Sequence, residues 1–167
     1  MDKIWNETIR KKICLVLTVC WMAVIFAFSA RNAELSTGDS TSVGMMFGQM
    51  FVPGFDEMDT KEQMAFADMI DHPVRKTAHA TEYAVLGFLI AGSYDDRTKK
   101  RLKLILVPLL TGALYAVSDE IHQLFVPGRS CQISDMLLDS CGVLAGTLAG
   151  MLIFTYKRRR VSRKQSA

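Results

Sequence analysis

Three stretches of this chain carry so little charge that water is a poor solvent for them: residues 13–29 hold none, 102–117 hold only Lys103 and 136–156 hold only Asp139. A bilayer core of about 30 Å takes roughly 20 helical residues, so each stretch with its interfacial ends is long enough to cross one. A fourth stretch, 77–93, carries His79 and Glu82, yet 83–91 is wholly apolar. Because lipid offers the backbone no hydrogen bonds, helices are the realistic spanning form. The reading is an all-α polytopic membrane protein, a four-transmembrane-helix bundle with spans near 12–29, 76–93, 102–125 and 132–156. One membrane domain over 1–167 then includes a partly helical extracytoplasmic loop at 30–75 and a basic tail at 157–167.

Basic residues set the orientation. Lys3, Arg10, Lys11 and Lys12 precede the first span, and Arg97, Lys99, Lys100, Arg101 and Lys103 lie at the short loop between the second and third. Lys157, Arg158, Arg159, Arg160, Arg163 and Lys164 follow the fourth, so fifteen of the twenty basic residues fall on one side. By the positive-inside rule that side is the cytoplasm, which places both termini there in a multi-pass protein of the cell membrane. A basic start and small residues at 27–30 also fit a cleavable signal peptide, whose removal leaves the downstream orientation unchanged. Nucleic acid is a poor partner for the tail, because its arginines follow a membrane span directly and anionic lipid is nearer.

The long outer loop is too large for a bare connection. Thr60, three residues before Gln63, matches a capping box, which predicts a short amphipathic helix near 60–71. A second is expected over 40–51, with Met45, Met46, Phe47, Met50 and Phe51 as an apolar patch. Pro108 frees the Leu104 carbonyl and is expected to bend the third span. In the fourth span Gly142, Gly146 and Gly150 repeat at four-residue spacing and let another helix approach closely. That helix belongs either to the same chain or to a second copy, which leaves a homo-oligomer open. Cys14, Cys20 and Cys141 read as small packing residues, and Cys131 alone faces outward.

Charges inside membrane helices are costly and so point to function, and here several fall at one depth. At about 1.5 Å per residue, His79, Glu82 and Tyr83 lie a short way below the outer face. Asp119, Glu120, His122 and Gln123 lie near the exit of the third span, and Asp135 and Asp139 near the entry of the fourth, below Arg129 on the Pro127-Gly128 turn. His79 with Tyr83, Asp119 with Gln123 and Asp135 with Asp139 are each four apart, so each pair shares a helix face.

The stretches RKTAHATEYAVLG (75–87), YAVSDEIHQLFVPGRSCQISDMLLDSCGVLAG (115–146) and WMAVIFAFSARNAELS (21–36) closely resemble the VanZ-like family of small bacterial membrane proteins. The resemblance implies a cell-envelope role, because the family's namesake is linked to resistance against teicoplanin, a lipid-bearing glycopeptide antibiotic. It implies no established reaction. The family's polar positions map onto Lys76, His79, Glu82, Tyr83, Asp119, Glu120, Gln123, Arg129 and Asp135, and Asp139 joins them by depth.

Three readings follow. The polar groups pair among themselves and only fix the helices, with Arg129 or Lys76 on Asp135, Asp119 or Glu120. Alternatively they form a site for an envelope lipid precursor or lipoglycopeptide, its anion on Arg129 and Lys76 and its tail in a groove facing the membrane lipids. In the third, His79 or His122 carries a proton, oriented by Asp119, Glu120 or Asp135, in an enzyme acting on an envelope lipid or glycan precursor. His79 with Glu82 and Asp119 with His122 are two carboxylate–histidine pairs, but they complete no metal motif. With no phosphate-binding glycine loop either, the sequence implies neither cofactor nor metal.

Overall fold

The computed structural model describes the backbone of residues 2–94 and 100–165 and the side chains of 7–94 and 100–156. Lys3, Arg97, Lys99 and the basic side chains of the 157–167 tail lie outside the described residues. The described chain is all helical: α1 Asp2–Ser29, α2 Ala33–Phe51, α3 Thr60–Tyr94, α4 Arg101–Gln123 and α5 Ile133–Gln165, with a single 3-10 turn at Phe55–Glu57.

Three segments are long and apolar enough to cross a membrane: Glu7–Ser29, Arg101–Gln123 and Ile133–Tyr156. Their outward faces carry large apolar side chains with nothing over them, such as Leu114 at 70% and Leu152 at 72% exposure. A water-soluble monomer seldom leaves such continuous apolar surface open, whereas lipid tails cover it without cost. α3 is not among them, because the first half of its 76–94 stretch, with Lys76, Thr77, His79, Thr81 and Glu82, is too polar. α4 runs unbroken through Pro108, which is itself buried.

The outer loop expected at 30–75 is mostly helix, and its two helices differ from those expected. α2 begins at Ala33 rather than near 40, because the Asn32 side chain accepts the Leu35 N–H at 2.9 Å and caps it. No separate helix ends near 71, since α3 runs for 35 residues from Thr60 to Tyr94 with Pro73 inside it. The carbonyl that Pro73 frees is that of Met69, an exposed residue, so the lost hydrogen bond is not sealed in a core. The capping box also sits one residue earlier than expected. Asp59 accepts from Glu62 N at 2.8 Å and Glu62 accepts from Asp59 N at 3.1 Å, while Gln63 donates to the Phe55 carbonyl.

α2 lies antiparallel on the first half of α3. Gly44 meets Ala67, Gly48 leaves room for the Phe55 ring, and Ser40 hydrogen-bonds Asp71. The second half of α3 runs parallel to α5 and packs against it along its length. Cβ atoms on Gly142, Gly146 and Gly150 would each run into α3, the first two against the carbonyls of Ala80 and Ala84. Gly87 of α3 repays the approach, as its own Cβ would strike the Val143 backbone. The seam that the sequence left without a partner is therefore filled by α3 of the same chain. Around it Ile25, Tyr83, Leu86, Ile90, Ala116 and Val143 form the core.

Gly146→Val should lower stability by roughly 1–3 kcal/mol, because no rotamer change moves a backbone carbonyl out of the way. Thermal unfolding of the purified protein in detergent would show this as a lower midpoint, with Gly38→Val on α2, where nothing lies within 4 Å, as the unaffected comparison.

Candidate functional site

The α3–α5 seam puts two helices in register, so residues one and two turns above the glycines also face each other. Lys76 pairs with Asp135, and His79 Nδ1 stands 3.8 Å from Asp139 Oδ1. Asp139 is wholly buried and neither of its carboxylate oxygens has a hydrogen-bond partner. α4 brings the other acids to the same end. Glu120, also fully buried, accepts the Gln132 N–H at 2.8 Å through Oε2, just where α5 begins. A carboxylate there satisfies an N–H that the helix cannot and faces the positive end of the helix dipole.

Asp119 is 3% exposed and accepts weakly from Gln123 at 3.5 Å through Oδ2, while its Oδ1 is unpartnered. Tyr83 is completely buried, its hydroxyl without a partner and its ring 6.2 Å from that of Tyr115. Tyr115 in turn donates to the Met22 carbonyl at 2.6 Å and Trp21 donates to the Glu82 carbonyl at 2.9 Å, which ties α1 to α4 and α3.

Two adjoining spaces, which share Arg75, His79 and Arg129, open beside these groups. One, of about 180 Å³, lies between α1, α2, α3 and α4 and is lined by His79, Glu82, Asp119 and Arg129 together with Arg31, Arg75, Asp39 and Ser29. A smaller one of about 90 Å³ is lined by Lys76, His79, Gln123, Arg129, Asp135 and Arg75. Beside the first runs an apolar groove of about 690 Å³ along α3 from Ile70 to Val85, walled by Trp21 of α1 and by Val43 and Phe47 of α2. The cavity and the groove share Val43, Val74, Ala78 and Glu82, so the polar space and the apolar groove adjoin.

Nine of the sequence-derived positions thus gather at one end of the bundle. Lys76, His79, Glu82, Asp119, Gln123, Arg129 and Asp135 line the two cavities, with Glu120 and Asp139 packed behind them. Tyr83 faces the core beneath. His122 is set apart, its ring 4.5 Å from that of Phe26 on α1. Among the described residues no group of three or more His, Cys, Asp or Glu is placed to hold a metal ion.

The arginines are distributed differently from the sequence reading. Lys76 is engaged by Asp135, one of the pairings that the sequence reading named, and the guanidinium that accompanies Arg129 is Arg75, to which that reading gave no role. Arg75 keeps a loose contact with Asp71 at 3.7 Å, and Arg31 is held by Asp39 at 2.7 Å. Arg129 forms no ion pair among the described residues and donates only to the Arg31 carbonyl at 3.3 Å. Burial first, and then the like charge of Arg75, pull the Arg129 guanidinium below its ordinary value, against the opposite pull of Glu120 and Asp119. Two guanidiniums held together in a half-buried space, one without a counter-ion, are suited to receive an anion. The signal for Arg75 was its place directly before Lys76, just outside the span that the sequence reading began at 76 but well inside the helix that begins at Thr60.

A family model described as VanZ/LLP1 matches residues 14–155, most of the chain and all of the residues just described. No curated protein and no solved structure matches it.

Replacing Glu120 separates its two oxygens. Glu120→Gln retains an acceptor for the Gln132 N–H and should keep most of the folded protein, whereas Glu120→Ala strands a helix-start N–H and should cost about 1–3 kcal/mol. Thermal unfolding of both variants in detergent checks the order.

Proposed function

The chain belongs to the VanZ/LLP1 family of membrane proteins, and from that premise we propose that it binds an envelope amphiphile at the extracytoplasmic end of its helix bundle. The single observation that carries this reading is a charged cavity that shares a wall with an apolar groove along α3. An anionic head would sit against Arg129 and Arg75, and an apolar tail would leave past Ala78 into the groove. Ligand sites of this kind combine a mostly apolar wall with a few placed polar groups.

In this reading α3 is a fourth span. α1 ends beside Arg129, α4 begins at the opposite end of the bundle, and the 76–94 half of α3 is the segment that returns the chain between them, packed against α1, α4 and α5. If the three apolar helices cross the membrane, α3 crosses with them. The basic residues outside the cavity end then place the termini in the cytoplasm and the cavity at the outer face. There the ligand would be an envelope lipid precursor or a lipid-bearing glycopeptide, and occupancy would alter susceptibility to teicoplanin-type antibiotics.

Binding is favoured over catalysis by the surroundings of His79. The carboxylate that it faces, at 3.8 Å, is Asp139, which is none of the three that the acid–base reading assigned to orient it. It is also favoured over a purely structural network, because Asp119 and Asp139 are buried with open oxygens and a network built for stability would close them.

Arg129→Gln should fold and reach wild-type levels, since it removes one hydrogen bond to a carbonyl. In a deletion strain it should fail to restore the lipoglycopeptide susceptibility of the wild-type protein and should weaken binding of a fluorescent anionic amphiphile about tenfold or more. Full complementation by this variant at wild-type abundance would remove the main support for the site.

A further inference from the structure

The cavity is not uniformly basic, and the arrangement of its charges restricts the head group further. Arg75 and Arg129 stand at the side nearest the 124–132 turn. Glu82 and Asp119 line the same space a turn or more deeper along α3 and α4. Asp119 is 3% exposed with an unpartnered oxygen, and Glu82 forms no side-chain hydrogen bond or ion pair among the described residues. Of the other charged groups in the lining, Arg31 and Asp39 neutralise each other at 2.7 Å, and His79 faces Asp139 behind it.

A head bearing only negative charge satisfies the two arginines but meets two carboxylates as it enters. A head bearing only positive charge meets the reverse conflict. Both ends are complemented by a short zwitterion whose cation goes in first. The cation must also carry hydrogen-bond donors, because a buried carboxylate oxygen without a donor is costly. A primary ammonium supplies three donors on a compact centre, and a quaternary one supplies none.

We propose that the cavity selects a phospholipid whose head is a primary ammonium beside a phosphate, with the ammonium between Glu82 and Asp119 and the phosphate on Arg75 and Arg129. This rests on the amphiphile site proposed above and names its ligand class. The lipid enters sideways from the outer leaflet, head first, through the opening at Val74 and Ala78. One of its chains lies in the apolar groove, which follows α3 over residues 70–85, or about 22 Å at the helical rise. The part within the span, over 76–85, is about 14 Å, close to the roughly 15 Å that one leaflet contributes to a bilayer core of about 30 Å.

The test compares three lipids of equal chain length on the purified full-length protein in detergent micelles, by native mass spectrometry with competition. These are a phosphoethanolamine phospholipid, its N-trimethyl counterpart and the phosphate-only phospholipid. The phosphoethanolamine lipid should bind about tenfold more tightly than either of the others, the scale of one charged hydrogen-bonding contact. Glu82→Gln should abolish its advantage over the phosphate-only lipid without weakening the latter, and Arg129→Gln should weaken both.

Equal affinity for the three lipids on the wild-type chain overturns the proposal without recourse to any variant, and so does a preference that survives in Glu82→Gln. In those cases binding itself persists and the amphiphile site stands. If no lipid binds the wild-type chain better than an Ala78→Trp variant with a blocked opening, the amphiphile site falls and this inference falls with it.

Discussion

The close approach of α3 and α5 is the contact on which the other features depend. In lipid there is no hydrophobic drive to bring two helices together, so shape must do it, and small residues let the backbones come near enough for dispersion to accumulate. Gly142, Gly146 and Gly150 face Ala80, Ala84, Phe88 and Ala91, and Gly87 answers from the other helix. Two parallel helices locked in this register repeat the match at every turn. Continued toward the 124–132 turn, it sets Asp139 against His79 and Asp135 against Lys76. The polar cluster therefore extends a packing seam and needs no separate alignment.

Burying that cluster works against stability. Membrane polar contacts average under about 1 kcal/mol in measured cases, and a charge without a partner costs more than such a contact returns. The protein offsets part of this cost locally. Lys76 neutralises Asp135, Gln132 N–H takes one oxygen of Glu120, and Asp39 and Asp71 accompany Arg31 and Arg75. The groups left open are those at the cavity and just behind it: Arg129, Glu82, Asp119 and Asp139. Residues that a stable scaffold would pair off stand open beside a groove, which is the physical basis for assigning this end of the bundle to a ligand.

Much of this was legible in the sequence, for reasons that differ by residue. Charge-poor stretches report spanning helices directly, and four-residue spacing put Asp135 and Asp139 on one face of α5. Depth counted along each helix placed nine polar residues at one end. The failures came where tertiary context outweighs local signals. The helices expected over 40–51 and 60–71 were drawn too short because their flanks have the polarity of water-exposed chain, and the Asp59–Glu62 cap was hidden by the neighbouring Thr60–Gln63 match. Arg75 was given no part and Lys76 two alternatives, Asp135 or an anion, because adjacent helical residues point about 100° apart and only the partner helix decides which one meets Asp135. His122 shared the depth of the cluster but faces Phe26, a direction that spacing alone does not give.

The central claim is that the polar cavity lies at the outer face and opens sideways onto lipid. A single cysteine in place of Ala78, in a chain whose Cys14, Cys20, Cys131 and Cys141 are replaced, sits at that opening. In intact cells it should react with a membrane-impermeant thiol reagent added from outside and be protected by an excess of anionic amphiphile. Labelling that requires cytoplasmic access, or labelling that amphiphile leaves unchanged, would contradict the account.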